Sequence, residues 1–588
     1  MQDDVEHKPR VSRGLIAALI VLAAIVVIAI VLIATGGSSH GTGTAADPAT
    51  VIPASAPLYA GAVVRPGGAL GSAAATAGRT LTGQADPYLR LLAALKTPGS
   101  APLNFKRDVA SWLGPRAGVF LSSAHASKLA GAGQVLTLLA LALLKPSPAV
   151  TAFPFGGAGV QGAIVLDTSD VGKARSFLDA QGTRAGAHQA SYRGVSYLLT
   201  AQGVTFGIVD RFAVIGSEEG LHDVVDTAFG GPPLAQAPGY AKLLAHAPPG
   251  ALAYAYLNPE ALGSSSGPQG LAGVLRLLAG TRESNLSLVP SKTSVALDVD
   301  ALTPGPAAAS GGLVASAAGG AQAAGELPAE SWLAVGLGKV GPAFGEDVQG
   351  LHSIISLASS LGGGAANSEA ASPLSLTELI KTIFTPLGVL GGESAEAKRD
   401  YQSWMGSAGI FAAGTGLVDL KAGVVISSTN PGASRAAVGK LASALKPAGA
   451  SVQRISIPGT EASLGVTLPG FPVTLAVAAG RGANGQTKFV VGLSEPSVVA
   501  ALNPTTTLAG AASYKAAGAA LGEGIQPSVA IDISTFLGLV EGVNLTEEPL
   551  ISKFVPYLRA LTTVAGGGKS LGEGIERFRI VLGLQQAR

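Results

Sequence analysis

No cysteine occurs in the 588 residues. That excludes disulfides, thiolate ligation of zinc or iron–sulfur clusters, a cysteine nucleophile and a lipid-modified cysteine. Packing alone must stabilise the fold. Charge is scarce as well, at 13% of positions, about half the usual 25%. The formal balance is only +2, so no basic field attracts phosphate backbones, and nucleic acid is not an expected partner. Aromatic residues reach 5%, with three tryptophans. Gly 81 and Pro 36 together make about a fifth of the chain, short of the roughly 25–30% that marks low-complexity sequences. A folded chain of about four domain-sized units, or two of about 250 residues, is expected.

What is present begins with one long apolar run. Leu15 to Ala34 is 20 consecutive uncharged residues, mostly Leu, Ile, Val and Ala. At 1.5 Å rise each, they match a hydrocarbon core of about 30 Å. Lys8, Arg10 and Arg13 precede the run, and no Lys or Arg follows between Thr35 and Val64. The positive-inside rule then predicts a cytoplasmic tail over 1–14, a transmembrane helix over 15–34 and everything later outside. A cleaved signal peptide is the rival reading, but its apolar region usually runs 7–15 residues, and Ala34-Thr35-Gly36 is a poor cleavage site. Gln134–Leu144 is too short to span and is followed by Lys145-Pro146. The mean hydropathy of +0.42 exceeds what the anchor supplies, which suggests an outer part that lies against lipid or a partner.

Residues 35–50 are rich in Gly, Ser, Thr and Ala and read as a flexible tether. Residues 306–325 have a similar composition with no charge, and read as a linker between units 51–305 and 326–588. The two units resemble each other. Asp108-x-x-Ser111-Trp112-Leu113-Gly114 recurs as Asp400-x-x-Ser403-Trp404-Met405-Gly406, Asp170-Val171-Gly172 corresponds to Asn430-Pro431-Gly432, and Leu234-Ala235-x-Ala237-x-x-Tyr240 returns as Leu508-Ala509-x-Ala511-x-x-Tyr514. Three anchors in one order are hard to obtain by chance. Strands are predicted near 58–64, 118–121, 162–167, 191–200, 204–209, 212–216, 251–257 and 293–299, with helices capped by Asp170 and Ser217. Strand and helix alternate only in part. The expected class is α+β: an N-terminal transmembrane helix, then two tandem, duplicated units of mostly antiparallel sheet with helices packed on one face.

The opening Ile52-Pro53-Ala54-x-x-Pro57-Leu58-Tyr59, the Trp112-Leu113-Gly114 turn, the step Val214-Ile215-Gly216-Ser217-Glu218-Glu219 and Leu234-Ala235-x-Ala237-x-x-Tyr240 are the most distinctive local patterns. Together they resemble a family of bacterial membrane-anchored proteins catalogued as domain of unknown function 3352. The resemblance covers nearly all of 50–588, apart from an insertion at Gly362–Pro373. It implies an extracytoplasmic protein of Gram-positive, high-GC bacteria and carries no assigned activity or catalytic residues.

Catalytic and cofactor motifs fail on context. Gly336-Leu337-Gly338-Lys339-Val340-Gly341 follows a strand, but Pro342 comes next and no acid ends a second strand about 20 residues on. Gly157-x-Gly159-x-x-Gly162 precedes a strand, where a dinucleotide loop needs a helix. Gly566-Gly567-Gly568-Lys569-Ser570 lacks the first glycine of a phosphate loop and reads as a flexible turn. Gly-x-Ser-x-Gly occurs at 37–41, in the tether, and at 263–267, after a helix-like segment; neither is a nucleophile elbow. The histidines show no metal-ligand spacing. Glu218-Glu219 is explained by the helix macrodipole. No cofactor or metal is expected. In the repeated turn, Asp108 and Asp400 are expected to cap a helical turn and Gly114 and Gly406 to close it in the left-handed conformation. Trp112 and Trp404 then dock in the core; the competing reading stacks them on a sugar. The functional expectation is a non-enzymatic binding or structural module of the cell envelope, contacting lipid through its anchor and an envelope protein, lipid or wall component outside. An extracytoplasmic hydrolase of wall or lipid substrates, with a Ser, His and Asp assembled by the fold, is the alternative.

Overall fold

Short apolar and alternating runs become strands that pair antiparallel. The structure, a computed structural model, describes residues 45–82, 104–122, 161–258, 283–302, 313–341, 388–392, 394–416, 418–469, 473–542 and 555–586, with 261, 344 and 386. Leu15–Ala34 with its basic flank, most of the tether, Gln134–Leu144, both Gly-x-Ser-x-Gly matches and the insertion at 362–373 lie outside the described residues. Among the described residues no helix is long and apolar enough to cross a membrane.

In chain order the strands are β1 (Leu58–Val63), β2 (Leu113–Leu121), β3 (Gly162–Thr168), β4 (His188–Tyr192), β5 (Val195–Leu199), β6 (Val204–Val209), β7 (Phe212–Ser217), β8 (Ala253–Leu257), β9 (Ser284–Pro290) and β10 (Ser294–Leu302). Then follow β11 (Ser331–Leu337), β12 (Met405–Ala413), β13 (Lys421–Ser428), β14 (Ser451–Arg454), β15 (Thr460–Thr467), β16 (Thr474–Arg481), β17 (Thr487–Gly492), β18 (Val529–Asp532), β19 (Leu561–Gly572) and β20 (Ile575–Leu584). The helices used below are α1 (Val171–Arg184), α2 (Glu218–Ala228), α3 (Pro238–Ala245), α4 (Leu313–Gly325), α5 (Ala395–Asp400), α6 (Pro431–Leu445), α7 (Glu495–Leu502) and α8 (Ala512–Leu521).

The chain forms two compact units. One holds residues 45–302 together with 559–586, the other 313–558. In the first, the strand order is β4-β5-β6-β7-β3-β2-β1-β8-β9-β10-β20-β19. In the second it is β14-β15-β16-β17-β13-β12-β11-β18. The eight strands β4 to β8 of the first order match the second position for position. The caps match too: Asp170 accepts from the Lys173 amide at 3.0 Å and Asn430 from the Ala433 amide at 3.1 Å. A further correspondence escaped the sequence reading. Ile52-Pro53-Ala54 straps onto 232–234 as Leu327-Pro328-Ala329 straps onto 506–508: Leu234 and Leu508 donate their amides to the Ile52 and Leu327 carbonyls at 2.7 Å, and Pro53–Pro233 and Pro328–Thr507 form isolated bridges.

Four expectations need correction. Helices do not share one face. Ala174 and Leu178 of α1 pack with Ala213 and Ile215 of β7, whereas Leu221, Val224 and Val225 of α2 pack with Phe212 and Val214, which point the other way. The reason is that β6, β7 and β3 are apolar on both sides and require cover on both. Residues 313–325, read as linker, form α4. Its glycines allow backbone contact with β11: a Cβ on Gly320 would lie 2.4 Å from the Gly336 carbonyl oxygen. Alanine also favours helix. The unit boundary fails at the C-terminus, because β20 pairs with β10 along Ser294–Leu302 and so belongs to the first unit. Finally, Gly566–Ser570 is not a turn but part of β19, in register with β20.

Candidate functional site

The repeated turn places both tryptophans inside. Trp112 and Trp404 are each 1% exposed. Each indole N–H donates at 2.9 Å to the carbonyl of its aspartate, Asp108 or Asp400. Trp112 meets the Phe177 ring of α1 at 5.2 Å and Trp404 meets Phe489 of β17 at 5.3 Å. An indole so covered presents no face to a sugar, which removes the stacking reading.

The neighbours differ from expectation. The turn at Phe105–Val109 is capped by Asn104, and α5 by Ser394. Asp108 accepts the Asn104 amide in return at 2.7 Å, and Asp108 and Asp400 close ion pairs with the preceding arginine, Arg107 at 2.7 Å and Arg399 at 2.8 Å. Arg399 and Lys440 hold the Asp400 carboxyl down to about 2. Its stabilising contribution is therefore complete above the ordinary carboxylate range and lost only as pH falls towards 2. Gly114 and Gly406 are not among the positive-φ glycines. They are small because the next strand is close: a Cβ on Gly114 would lie 2.4 Å from Asp167 Oδ2 and 2.9 Å from its backbone carbon, and on Gly406 2.5 Å from Ser427 Oγ. Gly114→Ala is expected to cost about 1–3 kcal/mol, and Gly406→Ala less, because only the Ser427 side chain has to shift, at the expense of its bonds to Ser407. Thermal unfolding of both variants checks the order.

Among the described residues, a dense group of chemically capable side chains lies on α2. Its Ser217 caps the Gly220 amide at 3.0 Å, and Glu218, Glu219, His222, Asp223 and Asp226 follow. The Ser122 hydroxyl, at the end of β2, donates to Asp223 Oδ2 at 2.6 Å. Burial pushes the Asp223 carboxyl up, opposed by that hydrogen bond and reinforced by Glu219. His222 makes its contacts with two tyrosines. Its ring stacks on Tyr192 at 3.8 Å, and its Nε2 lies 3.1 Å from the Tyr197 hydroxyl. Tyr197 also donates to Glu218 at 2.7 Å, and burial with that contact pushes the phenol up to about 12. Tyr192 and Arg193 both reach Asp226. These bonds tie the β4–β5 hairpin to α2. They do not build a relay, because the serine meets a carboxylate directly and the imidazole serves two phenols. Glu218 and Glu219 occupy the first turn of α2 as the sequence suggests. Among the described residues no three His, Asp or Glu are grouped to hold a metal. In the second unit, α7 reads Glu-Pro-Ser-Val-Val-Ala-Ala-Leu and has no such cluster.

The same face of the first unit continues into a buried polar band. Tyr59, Tyr240 and Tyr256 are nearly unexposed, and the Tyr240 hydroxyl approaches that of Tyr254 at 3.4 Å. Next in register come Asn285 and Ser287 of β9, Asp300 and Asp298 of β10, and Arg577 and Arg579 of β20. Both aspartates are 0% exposed. Arg577 grips Asp300 at 2.6 and 2.8 Å, and Arg579 grips Asp298 at 2.6 and 2.7 Å. Arg577 also donates to the His246 carbonyl at the C-terminal end of α3, where a cation is favoured. Burial pushes the Asp300 carboxyl up, and Arg577 counters it. In the sequence this set leaves only an alternating pattern of opposite sign, Asp298-x-Asp300 against Arg577-x-Arg579.

Comparison with known proteins adds a family. No curated protein is significantly similar in sequence. One solved structure, titled "Structure of crystal form I of TP0453", aligns over 45% of this chain and 82% of that chain at 9% identity, with a TM-score of 0.25, a likeness too slight to carry an argument. A family-wide sequence profile, described as "Protein of unknown function (DUF3352)", matches residues 15–526. The chain belongs to this family of proteins of unknown function.

Proposed function

We propose that the protein is a single-pass membrane-anchored module of a bacterial cell envelope, its N-terminus cytoplasmic and the rest extracytoplasmic, binding or organising an envelope protein, lipid or wall component without catalysing a reaction. The observation that carries this reading is the charge-free run Leu15–Ala34 with Lys8, Arg10 and Arg13 on one side only. The family match begins at Leu15, the first residue of that run. We also propose that the two units are copies of one ancestral unit, a reading supported by their shared strand order, caps and straps.

The chain has no cysteine, so single cysteines at Ser39 and Ser12 can be addressed uniquely. An impermeant maleimide on intact cells is expected to label Ser39→Cys and spare Ser12→Cys. Labelling at Ser12→Cys alone would overturn the orientation. The hydrolase reading keeps one specific support, the 2.6 Å contact of Ser122 with Asp223. A fluorophosphonate probe is expected to leave the protein unlabelled, since His222 faces the tyrosines. Labelling that disappears in Ser122→Ala would replace the binding reading with the hydrolytic one.

A further inference from the structure

We infer that the outer edge of β10 is a charge-coded acceptor for the chain's own C-terminal hairpin, so that the first unit stays open until β19 and β20 arrive. Asp298 and Asp300 point to the face covered by α3, and β9 offers them only Asn285 and Ser287 in register. The guanidinium groups that neutralise them come from β20, 277 residues further along for the Asp300 pair. A buried carboxylate without its cation is strongly unfavourable. Before β20 docks, these two acids must remain in water, and β10 cannot close over α3. Inward-pointing charges also discourage other strands from adding to that edge.

The code fixes register as well as identity. Pairing runs from Ser294 with Gly583 to Leu302 with Ile575. A slip of one residue would turn both arginines to the opposite face, and a slip of two would leave one acid unmatched. The strand that seals the first unit is thus made only after residues 313–558.

Amide hydrogen exchange on the full chain tests this. In Asp298→Arg/Asp300→Arg and in Arg577→Asp/Arg579→Asp, amides of β9, β10 and β20 are expected to exchange at least about a hundredfold faster, with β13, β16 and β17 of the second unit unchanged. Combining the four substitutions is expected to restore protection. Unchanged β10 protection in either double variant, unfolding that spreads to the second unit, or no recovery in the combined variant would overturn the inference. In a second measurement, the parent chain is cut specifically between residues 543 and 554. The C-terminal fragment is expected to remain bound through gel filtration, and to be released in Asp298→Ala/Asp300→Ala. Release from the parent, or retention by that variant, would equally sink the proposal.

Discussion

Replacing Trp112 with alanine is expected to destabilise the first unit by about 3–5 kcal/mol, and Trp404→Ala to do the same to the second. Each indole fills a site walled by a helix or strand on the far side, Phe177 for Trp112 and Phe489 for Trp404. Removing it leaves a cavity and strips the Asp108 or Asp400 carbonyl of its donor. Since the two tryptophans lie in separate compact units, each loss should be local. Limited proteolysis with mass mapping is the check: Trp112→Ala should expose sites within 45–302 first, and Trp404→Ala within 313–558. Melting within about 0.5 kcal/mol of the parent, the range of ordinary surface changes, would refute the core assignment.

Arg577→Ala should be comparably damaging, at about 3–5 kcal/mol, for an electrostatic reason. The substitution leaves Asp300 fully buried with its bidentate partner gone, and removes a bond to the end of α3. Joint replacement, Arg577→Leu with Asp300→Leu, is expected to recover most of the loss, because it removes both desolvated charges together. The pH dependence separates this from simple cavity formation. A carboxyl whose folded-state pKa lies above its unfolded value is stabilising below the unfolded value and loses that advantage as pH rises. Burial already pushes Asp300 that way, and loss of Arg577 pushes it further. Arg577→Ala should therefore be most impaired near neutral pH and recover as pH approaches about 4. Chemical denaturation across that range measures it, and a pH-independent deficit would contradict the mechanism.

Local signals in the sequence specify structure where chemistry and neighbours coincide. Asp170 and Asn430 cap helices as their types suggest, and the Leu-Ala-x-Ala-x-x-Tyr anchors occupy matching places, with Tyr240 and Tyr514 both buried. The predicted strand over 191–200 proved to be the β4–β5 hairpin, turned by Arg193 and Gly194, both at positive φ. What failed depended on partners distant in sequence. Alanine and glycine serve a tether and a close-packed helix equally well, so α4 could be recognised only once Gly336 was known to lie beneath it. The C-terminal hairpin went to the wrong unit because sequence proximity is a poor guide to strand pairing. The acid and tyrosine cluster on α2 was half legible: Glu218-Glu219 stood out, but nothing local places Ser122 against Asp223.

The strap at Ile52–Ala54 has a mechanical consequence. A pull arriving from the N-terminal side meets the Asp47–Arg116 ion pair at 3.2 Å and the two backbone bonds to Pro232 and Leu234 before it reaches β1. Beyond the strap, β1 is gripped on both sides, by β2 and β8. These contacts, together with the burial of Ala49, Val51 and Ile52 in the core, stand in series ahead of a strand held along its length. Under force they are expected to yield before the two ladders of β1, lengthening the leash while the sheet stays whole. On that expectation the strap would act as a sacrificial link between a pull on its N-terminal side and the folded unit.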